Sequence, residues 1–120
     1  MEIKVIKDSK ISRQELVDIA SAGFGDIVKA VVDVEQEIMA VGGELHADEE
    51  VLLSEQYGSK RENTWGINFY PQNSPGTDWI EFDSMINLKP ARGNRSRTVE
   101  DSDIKEKILR IVQKLVLNNA

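Results

Sequence analysis

Two runs of alternating polarity, residues 64–70 and 79–88, constrain this chain more than anything else in it. Trp65, Ile67 and Phe69 fall on one side of an extended chain, and Ile80, Phe82, Ser84, Ile86 and Leu88 fall on one side of the next. A period of two marks a half-buried strand. Between them, residues 72–78 include Pro75 and Gly76 and break the pattern, so they are expected to turn the chain. The reading is a two-stranded antiparallel hairpin. Its second strand leads into residues 89–97, which hold Lys89, Arg92, Arg95 and Arg97 and no acid.

The flanking segments supply the rest of the architecture. Residues 2–7 alternate through Ile3 and Val5 and read as a short edge strand, where lysines discourage unwanted pairing. Ser12 and Glu15 have capping-box spacing, with Ile11 and Leu16 at the staple positions. A helix over 12–22 follows, burying Leu16, Ile19 and Ala20 and stopped by Gly23 and Gly25. Residues 26–41 carry apolar residues at helical spacing (Ile27, Val31, Val34, Ile38, Val41) and also alternate through Val28, Ala30, Val32 and Val34. The cluster of β-branched valines and the polar break at 35–37 favour a hairpin. Gly42 and Gly43 end this unit, and a second helix is expected over 47–57, with Asp48, Glu49 and Glu50 near its positive end and Gly58 as its stop. Ile104, Ile108, Ile111, Val112 and Leu115 form one apolar stripe of a last helix, which Asp101 or Ser102 can cap. The expected order is β-α-β-β-α-β-β-α. Short links between strands then give a mainly antiparallel sheet of about five strands with three helices, an α+β fold over residues 1–120 as one domain.

Composition narrows the function classes. The chain has no cysteine, which excludes disulfides, thiolate metal sites and cysteine nucleophiles. It has no apolar run near the roughly 20 residues that span a bilayer, and residues 1–7 lack the apolar stretch of a signal peptide. A cytoplasmic protein without a membrane anchor is expected. The formal net charge of −6 opposes nonspecific binding to nucleic acid. The charge is unevenly placed. Asp33, Glu35, Glu37, Glu44, Asp48, Glu49 and Glu50 lie in 33–50 without a lysine or arginine, against the cations of 89–97. The plain reading is two solvated surfaces; the sharper one is an acidic pole and a basic pocket.

Three stretches carry candidate chemistry. In the first, Arg92, Gly93, Asn94, Arg95 and Arg97 form a loop. Gly93 and Asn94 take positive φ cheaply, and the loop can aim guanidiniums and amides at one anion. The bland alternative is that these arginines pair internally with Glu100, Asp101 or a strand carboxylate. In the second, Glu44, His46 and Asp48 offer oxygen, nitrogen and oxygen to a divalent cation, but only if that segment is extended. With a helix starting there, a cap with a hydrogen-bonded histidine is the simpler reading, and no metal is assigned. In the third, Gly66, Asn68, Tyr70, Trp79, Glu81, Asp83, Met85 and Asn87 form the outward face of the central hairpin. Glu81 and Asp83 could act there as acid and base, or simply pair with arginines.

The segments GGELHAD at 42–48, WGIN at 65–68, FDSMIN at 82–87 and GNRSR at 93–97 resemble a family of short uncharacterised prokaryotic proteins, a domain of unknown function. The resemblance covers roughly Val28 to the last helix. It implies a free-standing cytosolic domain and brings no activity, cofactor or partner with it. Small ribonuclease toxins of toxin–antitoxin pairs share the size and the α+β composition, but they are usually basic, and this chain is acidic. The sequence therefore points to a non-enzymatic binding or regulatory module with an arginine-rich anion-binding loop over residues 89–101, needing no cofactor. The second reading is a small metal-assisted hydrolase or nuclease using the acids of the central hairpin or His46. The partners left open are a small anion, a protein, or a second copy of the chain as a homodimer.

Overall fold

The hairpin expected at 28–41 forms the middle of the sheet in the computed structural model, which describes residues 2–73 and 77–117. In chain order the elements are β1 (Lys4–Ile6), β2 (Ile11–Ser12), α1 (Arg13–Ala22), β3 (Val28–Asp33), β4 (Ile38–Val41), α2 (His46–Tyr57), β5 (Thr64–Phe69), β6 (Ile80–Glu81), α3 (Ser102–Leu115) and β7 (Val116–Leu117). Five strands make an antiparallel sheet in the order β1-β4-β3-β5-β6, and three helices pack on it, a single-domain α+β fold. A parallel pairing of β2 with β7, two residues each, ties the start of α1 to the end of α3. It was not expected; two-residue strands carry no periodic signal.

The turn between β3 and β4 lacks Asn-Gly, and the side chain of Asp33 builds it instead. Its Oδ1 accepts the amides of Glu35 and Gln36, and Oδ2 accepts from Gln36 Nε2 and Ser59 Oγ. Glu37 then closes the turn at φ 58°. Both faces of this hairpin are covered, which is why its pattern was ambiguous: residues 28 and 30–34 are all buried.

The two faces differ. On one, α1 and α3 bring Leu16, Ala20, Ile108, Ile111, Val112 and Leu115 against Val32, Met39, Trp65, Ile67 and Phe69 in one large apolar cluster. Phe69 stacks on Trp79 with ring centroids 4.7 Å apart. On the other, α2 adds Leu53 to a smaller cluster with Val31, Ile38, Ala40 and Ile86. The capping box of α1 is half made: Ser12 Oγ accepts the Glu15 amide, while the Glu15 carboxylate pairs with Lys4 at 2.6 Å. At the end of α2, Gly58 adopts φ 68°, as its position predicted.

The central hairpin requires a correction. Its first strand is β5, but its second, β6, ends at Glu81 rather than running to Leu88. Ser84 Oγ accepts the Ile86 amide and starts a short 3-10 turn over Met85–Asn87. Asn87 then stands in for a strand. Its Oδ1 accepts the Gly66 amide at 2.8 Å, and its Nδ2 donates to the Gly66 carbonyl at 3.0 Å. Gly66 has to be glycine for this approach, because an added Cβ would lie 2.5 Å from Ser84 Cβ. Ile86 consequently packs on the α2 face and Phe82 on the α3 face, so the expected alternation of 80–88 fails. Residues 74–76 of the expected turn lie outside the described residues. Its neighbours are held by Arg13, whose Nε donates to Pro71 O at 2.9 Å and whose guanidinium lies 4.3 Å over the Trp79 ring.

Candidate functional site

The cationic loop is built by two buried amide side chains. Lys89 and Asn94 pair as an antiparallel bridge around the 3-10 turn Pro90–Arg92, and Gly93 takes φ 81° to close it. Asn94 is 3% exposed. Its Nδ2 donates to the carbonyls of Asn87, Ser96 and Thr98, and its Oδ1 accepts the Glu100 amide at 2.8 Å. Asn87 Nδ2 reaches the Arg97 carbonyl as well as Gly66. Backbone groups that no strand or helix satisfies are thus satisfied by side-chain amides.

The four cations go to four places. Lys89 is buried, not solvated. Its Nζ donates to the carbonyls of Arg61 and Ile86 and lies 5.0 Å over the Trp65 ring. Burial pulls its pKa down to about 8; the Glu50 charge opposes this, and Arg61 and Arg92 push the same way as burial. Arg97 turns toward the sheet edge, and its Nε meets Asp83 Oδ1 at 2.7 Å. The Arg95 side chain is exposed, while its amide donates to Glu100 Oε2 at 2.8 Å. Arg92 donates from Nη1 to the Glu62 carbonyl at 3.1 Å and makes no ion pair among the described residues.

Arg92 sits between two concavities. One, about 350 Å³ and shallow, is lined by Arg61, Glu62, Lys89 and Arg92 with Leu88, Pro90 and Ala91. The other, about 270 Å³, is lined by Trp65, Arg92, Gly93, Asn94, Glu100, Asp101 and Ile104. Trp65 is 1% exposed, and its indole N–H has no acceptor among the described residues. A buried indole usually finds a partner; here the contact the ring makes is with Lys89 Nζ over its face. Sequence reasoning took Trp65 only as core; the residue type alone carried the signal that a buried N–H must be answered.

Glu100 and Asp101 are fixed in place. Glu100 Oε2 accepts from Ser96 Oγ at 2.7 Å and from the Arg95 amide, and these bonds hold its pKa below the usual carboxylate range. Asp101 Oδ1 caps α3 by accepting the amides of Asp103 and Ile104.

The other two candidate sets meet on the α2 face, beside β6. Glu44 and Asp48 are exposed, while His46 is half-buried with Nε2 2.9 Å from the Ile67 carbonyl. The three do not converge, and no three His, Cys, Asp or Glu side chains are placed to hold a metal among the described residues. His46 does lie near Asn68 and Asp83. Burial lowers its pKa, the bond to Ile67 opposes this, and Lys29 adds to the lowering. Asn68 Nδ2 donates to Glu81 Oε1 and to the Asp83 carbonyl, and Tyr70 OH is 3.3 Å from Glu81 Oε1. Trp79 is not on this face; it belongs to the α3 core. Two of the acids taken as surface in 33–50 are interior. Asp33 builds its turn. Glu49 is fully buried, with Oε2 on the Gly43 amide at 2.9 Å and Oε1 unpartnered among the described residues. Burial raises its pKa well above the ordinary value; the Gly43 bond and Lys29 oppose this.

Among the described residues, no helix is long and apolar enough to cross a membrane. No curated protein matches the chain, and no solved structure does. The family DUF5674, described as a protein of unknown function, matches residues 4–115, and the chain belongs to that family.

Proposed function

We propose that this chain is a non-enzymatic binding module that takes a small anionic group at the turn 92–94, over Trp65. The observation that carries the reading is the concavity of about 270 Å³ lined by Arg92, Gly93 and Asn94 together with Trp65, where Arg92 makes no ion pair among the described residues. A guanidinium offers a planar fork matched to a carboxylate or phosphate. The same loop already holds one carboxylate oxygen, that of Glu100, on the Arg95 amide and the Ser96 hydroxyl. This supports a backbone shaped for oxyanions. Of the five loop residues marked by the sequence, Arg92, Gly93 and Asn94 line the site; Arg95 and Arg97 lie beside it, and Arg97 is engaged by Asp83.

A titration of the labelled full chain with acetate and with inorganic phosphate tests this. Shifts of the Trp65 indole N–H and of amides 92–99 at millimolar concentration, about −4 kcal/mol of binding, are expected. Arg92→Ala should remove them, and Arg97→Ala should leave them. If no carboxylate- or phosphate-bearing probe moves these resonances, the loop is only structural.

A further inference from the structure

We infer that the shallow concavity of about 350 Å³ lined by Arg61 and Arg92 is a docking surface for a short acidic peptide segment of a partner protein, with an apolar residue beside its carboxylates. This surface is independent of the anion site over Trp65: Arg92 borders both concavities, but Arg61 lines this one and not the other.

Three cations are crowded here. Lys89 Nζ donates to the Arg61 carbonyl at 2.8 Å, and the Arg92 guanidinium donates to the next carbonyl, that of Glu62, at 3.1 Å. Consecutive Cα atoms are about 3.8 Å apart, so charges held on consecutive carbonyls are neighbours. Arg61 supplies the third. After the larger effect of burial, its charge and that of Arg92 both act against protonation of Lys89, and Glu50 opposes them. None of the three cations makes an ion pair among the described residues, and the Arg61 guanidinium makes no hydrogen bond there either. The nearby acids leave the cluster unanswered. Glu62, the one acid lining the concavity, pairs with none of the three, and Glu50 accepts from the Thr64 hydroxyl through Oε2. A carboxylate brought from outside relieves this like-charge crowding.

Shape and lining select the occupant. Leu88, half-buried, with Pro90 and Ala91, exposed, adds an apolar part to the surface beside the cations. A bare phosphate would leave that part unused. Small-molecule sites bury roughly 70–90% of their ligand; a shallow concavity instead fits residues of a chain that continues beyond it. An extended polyanion such as single-stranded nucleic acid is opposed by the formal net charge of −6, which a short acidic segment meets only locally. The turn is formed in advance by the Lys89–Asn94 bridge, so little ordering is needed on docking.

The labelled full chain at neutral pH and low salt is titrated with a blocked Glu-Leu-Glu tripeptide, with blocked Gln-Leu-Gln and Glu-Gly-Glu, and with a short thymidylate oligonucleotide, following amides 61–64, 88, 89 and 91. Glu-Leu-Glu should shift these amides at millimolar concentration and should lose affinity in roughly 0.5 M salt. Glu-Gly-Glu should bind several-fold more weakly, and Gln-Leu-Gln about tenfold more weakly. Arg61→Ala keeps the backbone carbonyl that Lys89 uses. It should weaken Glu-Leu-Glu several-fold while the response of the Trp65 indole N–H to acetate stays as it was, which separates this surface from the anion site. If either control peptide binds as tightly as Glu-Leu-Glu, if Arg61→Ala changes nothing, or if no peptide moves these amides, the docking surface is overturned and the three cations only brace the turn. If the oligonucleotide shifts the same amides at lower concentration than Glu-Leu-Glu, the partner is a nucleic acid and the peptide class is wrong.

Discussion

The two faces of the sheet are held by different means. The face under α1 and α3 is closed almost entirely by apolar side chains, with Trp65, Ile67 and Phe69 of β5 meeting Ile108, Ile111 and Leu115 of α3. The face under α2, together with the sheet edge beyond β6, is closed by a small apolar cluster plus buried polar groups: Glu49, Asn68, Ser84, Asn87 and Asn94. Apolar packing is non-directional and tolerates changes that keep volume. Buried amides are directional, and each fixes a backbone path by its particular partners. The first face holds the larger apolar cluster and is expected to supply most of the stability. The second spends polar groups on shaping a loop that no strand or helix would shape, and that loop carries the candidate site.

The largest expected effect belongs to the apolar face. Ile108 is fully buried, so Ile108→Ala should cost about 2–5 kcal/mol through lost burial and a residual cavity, and Ile108→Val about 0.5–1.5 kcal/mol. Denaturant unfolding measures both. A loss under about 0.5 kcal/mol for the alanine variant would place the stability elsewhere and undo the contrast between faces.

Next comes Asn94→Ala on the polar side. It removes the donor to three carbonyls and the acceptor for the Glu100 amide, and leaving even one such group buried and unanswered costs about 1–3 kcal/mol. The shape of the response separates the faces. Amide exchange should rise across residues 84–100 more than in α3. Uniform loosening of the whole chain would mean that the loop and the core are one cooperative unit.

This contrast also marks what could be read from the sequence. Trp65, Ile67 and Phe69 alternate, and Ile108, Ile111, Val112 and Leu115 recur at helical spacing, so the apolar face was legible as pattern. So were the Ser12 cap and the Gly58 stop, which act on their immediate neighbours. The polar face was not, because its residues work over distance. Asn87 reads as an outward strand residue until its amide is seen pairing with Gly66, 21 positions away. Lys89 reads as one more solvated cation until its ammonium is found on the Arg61 carbonyl. Glu49 reads as a helix-start acid, yet it is inside against Gly43. The loop at 92–97 was recognised by its composition. Which of its arginines would make no ion pair, and that Trp65 would line the same concavity as Arg92, depended on contacts from β5 and α3 that no local window contains.

Glu49 gives the next effect, a slope rather than an offset. Its pKa in the fold is raised well above the ordinary carboxyl value, chiefly by burial. The folded chain therefore holds this proton more tightly than the unfolded chain. The associated stability is fully present below the ordinary carboxyl pKa and is lost as pH rises through the raised one. Glu49→Gln keeps a carbonyl oxygen for the Gly43 amide but cannot ionise. The wild-type chain should lose stability toward alkaline pH relative to this variant, which should show a flatter profile. Melting temperatures across pH 4–9 measure it; parallel curves would mean that Glu49 ionises in the fold without penalty.

The smallest effect is the most exposed. Arg97 and Asp83 meet at 2.7 Å, but their side chains are 56% and 45% exposed, and pairs in such settings contribute about 0–1 kcal/mol and weaken with salt. The loop does not hang on this pair. Arg97 is held by its carbonyl on Asn87, and Asp83 by its carbonyl on Asn68, so Asp83→Asn leaves both backbone anchors in place. Its cost should stay below about 1 kcal/mol and shrink further in roughly 0.5 M salt, with the amide shifts of 92–94 unmoved. A cost above about 2 kcal/mol, or a displaced 92–94 turn, would make the ion pair part of the loop's frame. The division between an apolar face that sets stability and buried amides that set shape would then have to admit an exposed charge pair as a third support.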